Sequence, residues 1–170
     1  MIACANPQMG AILYYLGVVL FTLVLPACSV YLERYGLGNA LPSMVLVGKW
    51  FVFWAGGVRL AVAGARQILQ PDFTAHTIFG IEGDAPFPFI RELGMANLSL
   101  SVVSILAVLV PGFVLPAAIA AGLFYAMAGV MHVRRGNRTA HENFAMISDL
   151  FVGAVLIAFV IWWVASYGRL

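Results

Sequence analysis

The stretch from His132 to Asp149, HVRRGNRTAHENFAMISD, packs three arginines, two histidines, one glutamate and one aspartate into eighteen residues. Guanidinium groups grip carboxylates and other anions through a planar fork of donors. Imidazole and carboxylate together can ligate a transition metal, and either can carry a proton. Residues 93–131 before this stretch and 150–168 after it hold no charged side chain. The fold must therefore decide where an isolated polar cluster sits within a largely apolar chain.

The metal chemistry is the easiest to weigh. His141-Glu142 is followed by Asn143-Phe144-Ala145, so the second histidine of a zincin HExxH is missing. There is no CxxC and no histidine pair at i, i+4. His132 and His141 with Glu92 and Glu142 offer the right ligand types without a ligand spacing, so we expect no metal and no cofactor. His132, His141 and His76 read instead as interfacial side chains. No phosphate-binding glycine loop or nucleophile elbow occurs. Asn137-Arg138-Thr139 and Asn97-Leu98-Ser99 match the glycosylation pattern, but the first faces the cytoplasm and the second lies inside a helix in the topology expected below.

Composition fixes the solvent. The 170 residues are 63% hydrophobic and only 9% charged, with a mean hydropathy of +0.98. Soluble domains run at roughly 45–50% apolar and about 25% charged. No water-soluble core of this length absorbs such a surplus, so the chain is expected to lie in a lipid bilayer. A formal charge of +2 gives no reason to invoke nucleic acid.

The expected architecture is all-α: one transmembrane domain over 1–170, a bundle of five helices at about 9–32, 42–69, 91–110, 113–133 and 141–167. Each run approaches or exceeds the ~20 residues needed to cross roughly 30 Å of hydrocarbon. A re-entrant hairpin is the alternative for helices three and four. Pro26 is expected to kink helix one, and Glu33-Arg34 with Gly36-Leu37-Gly38-Asn39 to end it. Leu25-Pro26-Ala27-Cys28 has the look of a lipoprotein cleavage box, but no Lys or Arg precedes Arg34. We read an uncleaved first helix with Cys28 packed inside it. Cys4 and Cys28 would lie roughly 36 Å apart along one helix, too far to bridge.

In helix two, Lys49 beside Trp50 is expected to snorkel to the interface, whereas Arg59 lies deep in an apolar run. Arg59, Arg66 and Gln70 share one stripe; Gly57, Ala61 and Ala65 form another, suited to ordinary close packing. The segment Pro71–Ile90 is too broken by Pro and Gly to span. Its phenylalanines suggest an interfacial aromatic loop with a short helix near Thr74–Phe79. Asn97, Ser101 and Ser104 give helix three a polar seam. Trp162, Trp163 and Tyr167 mark the far interface of helix five.

Five crossings put the termini on opposite sides. Arg66, Arg91, Arg134, Arg135 and Arg138 fall on the amino-terminal side, against Arg34, Lys49 and Arg169 on the other. The positive-inside rule then favours a cytoplasmic N-terminus and an external C-terminus in a plasma membrane.

The spacing of charges carries the strongest structural expectation. Arg59 and Arg66 are seven apart on helix two, and Glu142 and Asp149 are seven apart on helix five, which runs the opposite way. Antiparallel neighbours would set Arg66 level with Glu142, and Arg59 level with Asp149 roughly 10 Å deeper. An unpaired charge at that depth costs about 2.5–3.5 kcal/mol on insertion scales. The expected cluster is Arg59, Arg66, Glu92, Asn97, His132, His141, Glu142 and Asp149.

Three motifs carry a resemblance: Arg91-Glu92-Leu93-Gly94 with Ala96-Asn97, then Tyr125–Val133, then Glu142 with Ala145-Met146 and Ser148-Asp149-Leu150. Across roughly residues 57–152 the chain resembles a family of small, uncharacterised bacterial integral membrane proteins. The resemblance implies the helical membrane fold and an inner-membrane location, and brings no activity with it.

Intramembrane ionisable groups mark binding sites and pathways by default. The first expectation is a protein that binds or passes a small polar solute or ion at the cluster, near the cytoplasmic face. Five helices rarely enclose a path alone, so this implies a homo-oligomer or partner membrane subunits. The alternatives are an accessory subunit of a larger membrane complex, with the ion pairs as fasteners, and an enzyme using Glu142, Asp149 or the histidines.

Overall fold

A computed structural model describes residues 7–168. Every regular element among them is helical. Five helices are long and apolar enough to cross a membrane: α1 Gly10–Gly36, α2 Ser43–Leu69, α3 Phe87–Leu106, α4 Pro111–Arg134 and α5 Ala140–Tyr167. Helix α3 starts before Arg91 because Pro88 suits a first turn, where its missing N–H costs nothing. It also stops at Leu106 rather than Val110.

Side-chain contacts fix how the helices run. Glu33 meets Lys49 and Ser29 meets Trp54, so α1 and α2 are antiparallel. Arg59 bonds Asp149 and Gly48 abuts Phe159, so α2 and α5 are antiparallel too. Helices α4 and α5 pack closely, Gly129 against Leu150 and Gly153 against the backbone of Ala126. Small residues let backbones approach where lipid offers no hydrophobic drive between helices.

The break expected at Pro26 takes a specific form. Helix α1 widens into π-helical geometry at Leu20–Val24, one turn before the proline, and again at Leu32–Gly36. A wider turn accommodates the missing proline N–H. Three expectations for this end need correction. Glu33 does not simply end the helix: it is buried, and its carboxylate accepts from Lys49 Nζ at 2.9 Å, Trp50 Nε1 at 2.6 Å and Asn39 Nδ2 at 2.7 Å. Lys49 accordingly ties α1 to α2 instead of snorkelling away, because a buried carboxylate offers more than open solvent. Cys28 is exposed rather than packed, since Pro26 and Ser29 face α2's side of the helix. Cys4 and Arg169 lie outside the described residues.

Helix α2 carries the longest π-helical run, Val52–Arg59. Its last residue is the deep arginine, and widened turns of this kind often sit at functional positions. The connection from Pro71 to Pro86 holds one short π-helical turn, Phe73–Ile78. The seam Asn97, Ser101 and Ser104 is buried, with both serines bonding carbonyls of their own helix. Tight apolar packing of Phe51, Val52, Ala55, Ala118, Ala121, Leu156 and Phe159 fills the half of the bundle toward the C-terminus of α5. Apart from Glu33, Arg34 and Lys49, the charged residues of the described chain gather in the opposite half.

Candidate functional site

Arg59 comes off the end of the π-helical run in α2, and its Nη2 donates to Asp149 Oδ1 at 2.9 Å and to Ser148 Oγ at 2.9 Å. Its guanidinium also lies 5.1 Å from the centre of the Tyr125 ring. Tyr125 is held in turn, its hydroxyl donating to the Ala55 carbonyl at 2.6 Å. The inner rung of the expected ladder is therefore present.

The outer rung is not. Among the described residues Arg66 meets no carboxylate within salt-bridge distance. Its guanidinium sits 3.3 Å from the centre of the Phe73 ring instead, a cation–π contact. Glu142 has other partners: His132 Nδ1 at 3.0 Å and Arg135 Nη1 at 3.5 Å, both on Oε1. The physical reason is packing. Close glycine contacts hold α4 against α5 and bring His132 to Glu142, while α2 and α5 diverge beyond Arg59. Two helices in register at one rung need not stay in contact at the next.

His132 links the two carboxylates, since its Nε2 lies 3.9 Å from Asp149 Oδ2. Arg59, Asp149, His132, Glu142 and Arg135 thus form one continuous row. Its ends are anchored from outside. Arg135 Nη2 donates to the Phe79 carbonyl at 2.6 Å. Thr139 donates to the Ile78 carbonyl and accepts from the Glu142 N–H, capping α5. Arg138 donates to the His132 and Val133 carbonyls at the end of α4. The Phe73–Ile78 turn and the α4–α5 connection are in this way stitched together.

Between α1, α2, α4 and the Phe73–Ile78 turn lies an open cleft of about 740 Å³. Ligand sites typically run about 300–1,000 Å³, mostly apolar with a few placed polar groups. Six of the eight expected cluster residues line it: Arg59, Arg66, Asn97, His132, Glu142 and Asp149. Arg59 Nη1, Asn97 Oδ1 and Glu142 Oε2 are buried and have no hydrogen-bond partner among the described residues. Each such atom costs about 1–3 kcal/mol when left unpaired. Asn97 is only 3% exposed and Glu142 0%.

Glu92 and His141 need correcting. Glu92 is exposed and does not line the cleft, because on α3 it is Leu93 and Asn97, one turn apart, that face inward. His141, about 100° round the helix from Glu142, turns toward α1. There its ring stacks on Tyr15 at 5.0 Å, and Tyr14 donates to its carbonyl at 3.4 Å. His76 bonds the Gly83 carbonyl at 3.2 Å. No group of three or more His, Cys, Asp or Glu among the described residues is arranged to hold a metal ion.

Several lining residues escaped the sequence reading. Gln67 accepts from Asn97 Nδ2 at 2.8 Å, yet it is simply the neighbour of Arg66. Tyr125 was legible in principle: it is seven residues before His132, the same interval that joins Arg59 to Arg66 and Glu142 to Asp149. Arg135 gave no local signal separating it from Arg134 and Arg138.

No curated protein and no solved structure matches the chain. Residues 12–169 match the family described as "Family of unknown function (DUF6790)", a match that covers all five helices but for the start of the first. The chain therefore belongs to the DUF6790 family, whose function is unknown.

Proposed function

We propose that this chain is a multi-pass membrane protein that binds a small polar solute or ion in the cleft between α1, α2 and α4. The observation that carries the reading is the meeting of arginine, carboxylate, imidazole and amide side chains from four helices in one cleft, with buried donor and acceptor atoms left unpartnered among the described residues. Buried polar groups are normally satisfied, and a site that leaves three open next to a cavity is suited to an occupant that supplies their partners. Partner copies or other membrane subunits would cover part of the apolar outer surface, and lipid the rest.

The same reading takes the cleft end as cytoplasmic in a bacterial inner membrane, with the N-terminus inside. Arg66, Arg91, Arg134, Arg135 and Arg138 all belong to helix ends or connections at that end, against Arg34 and Lys49 at the other.

The Arg59–Asp149 pair favours a second reading, an accessory subunit in which the charges only fasten the bundle. Native mass spectrometry of protein extracted gently from its membrane separates the two. A small-molecule adduct near one per chain, lost in Ala128→Phe, supports a binding cleft. A bare chain, or an adduct that Ala128→Phe leaves in place, overturns it.

A further inference from the structure

The cleft has two chemically different regions. Leu13, Val18 and Phe21 of α1 line it together with Phe124, Ala128 and Met131 of α4, and this part offers only apolar surface. The remainder carries four arginines, Arg59, Arg66, Arg134 and Arg135, against two carboxylates, Glu142 and Asp149.

Those two carboxylates are already engaged. Asp149 receives Arg59, and Glu142 receives His132 and Arg135. Among the described residues three guanidinium groups retain capacity: Arg134, exposed at the rim of the cleft and in no ion pair; Arg59, through its unpartnered Nη1; and Arg66, whose fork is met by the Phe73 ring and by no carboxylate. Arg59 and Arg66 are the two that lie inside the cleft on one helix. The nine residues that precede Gly10 contain no acid that would neutralise Arg66. Asp72, its nearest carboxylate in sequence, is exposed and outside salt-bridge distance.

We infer that the cleft takes one amphipathic anion, its anionic head on Arg59 and Arg66 and its apolar body between α1 and α4. The inference rests on the binding reading above and names the class of ligand. Guanidinium forks match carboxylate and phosphate oxygens geometrically, and buried arginine is more weakly hydrated than lysine, so it releases water at lower cost. The apolar walls exclude a simple hydrated ion as the best fit, since such an ion leaves most of the lining uncovered. The head also meets Asn97 Oδ1 and Glu142 Oε2, both acceptors, so a hydroxyl or ammonium beside the anion completes the set. A single-chain lipid phosphate and a free amphipathic metabolite share this chemistry.

The test uses the full chain in detergent micelles and three probes: palmitoyl lysophosphatidate, monopalmitoylglycerol with the same chain and no charge, and inorganic phosphate. Lysophosphatidate should bind one per chain, at least tenfold tighter than monopalmitoylglycerol and at least tenfold tighter than phosphate. Arg59 secures Asp149, so its removal confounds folding with binding, and Arg66→Gln is the cleaner variant. It should weaken lysophosphatidate at least tenfold and leave monopalmitoylglycerol unchanged, while Arg91→Gln, outside the cleft, changes neither. Equal binding of the charged and neutral lipids, no effect of Arg66→Gln, or phosphate binding as tightly as lysophosphatidate each overturns the inference. If a native adduct is present and lost in Ala128→Phe but lysophosphatidate does not bind, the ligand class is wrong and the binding cleft stands. If no native adduct exists, the binding reading itself fails.

Discussion

Gly64 of α2 and Gly94 of α3 meet backbone to backbone. A Cβ added to Gly64 would lie 2.6 Å from the Gly94 carbonyl oxygen, and one added to Gly94 would lie 2.8 Å from that of Gly64. Neither distance is tolerable, and both obstacles are backbone rather than a mobile side-chain tip. This contact sets how closely α3 approaches α2, and with it the distance from Asn97 to Gln67 inside the cleft. The stripe of small residues expected at Gly57, Ala61 and Ala65 is only half right, since Gly57 does pack on Ile105 but the tightest approach belongs to Gly64.

Gly64→Ala should therefore destabilise the protein by about 1–3 kcal/mol through overpacking. Gly136→Ala, where an added Cβ meets nothing within 4 Å, should leave stability unchanged. Denaturant titration of the two variants in the same micelles gives the comparison. Equal stabilities would mean that α2 and α3 sit farther apart than described.

Breaking the Arg59–Asp149 pair should be costly. Asp149→Asn leaves a guanidinium in a low-dielectric site whose side chain is only 12% exposed, and loss of one partner of a buried pair costs roughly 3–5 kcal/mol. Folded yield of Asp149→Asn and of Arg59→Ala should fall sharply. The exchanged double variant, Arg59→Asp with Asp149→Arg, should recover part of the loss. Full recovery is not expected, because Ser148 and Tyr125 are positioned for a guanidinium on α2. Arg66→Ala should matter far less, since it gives up a cation–π contact worth about 0.5–2 kcal/mol and no ion pair. A yield for Arg66→Ala as low as for Asp149→Asn would restore a carboxylate partner to Arg66.

The proposed orientation has a direct readout. A reporter active only in the cytoplasm, fused after Leu170, should be silent, and the same reporter inserted at Gly136, in the exposed α4–α5 connection, should be active. Activity at Leu170 with silence at Gly136 would reverse the membrane orientation without disturbing the bundle. Activity at both would rule out five crossings.

Hydrophobic composition and the lengths of the predominantly apolar runs determined that the described chain is five long helices, because each run is long and apolar enough to leave few alternatives. Charge spacing determined the Arg59–Asp149 rung, since seven residues on two antiparallel helices return to the same faces at the same level. The partners of Arg66 and Glu142 were decided only by tertiary packing. Periodicity gives a side chain's angle and height on its own helix, but says nothing of how fast two helices diverge. Here glycines hold α4 close to α5, so His132 takes Glu142, and the cleft opens where α2 leaves α5, so Arg66 finds Phe73. Glu33 went unread for a related reason: a carboxylate at a helix end looks like a solvated terminator until a second helix brings Lys49 and Trp50 onto it. The cleft, too, exists only in the assembled fold, because its walls come from side chains on all five helices and a connecting turn that no local pattern links.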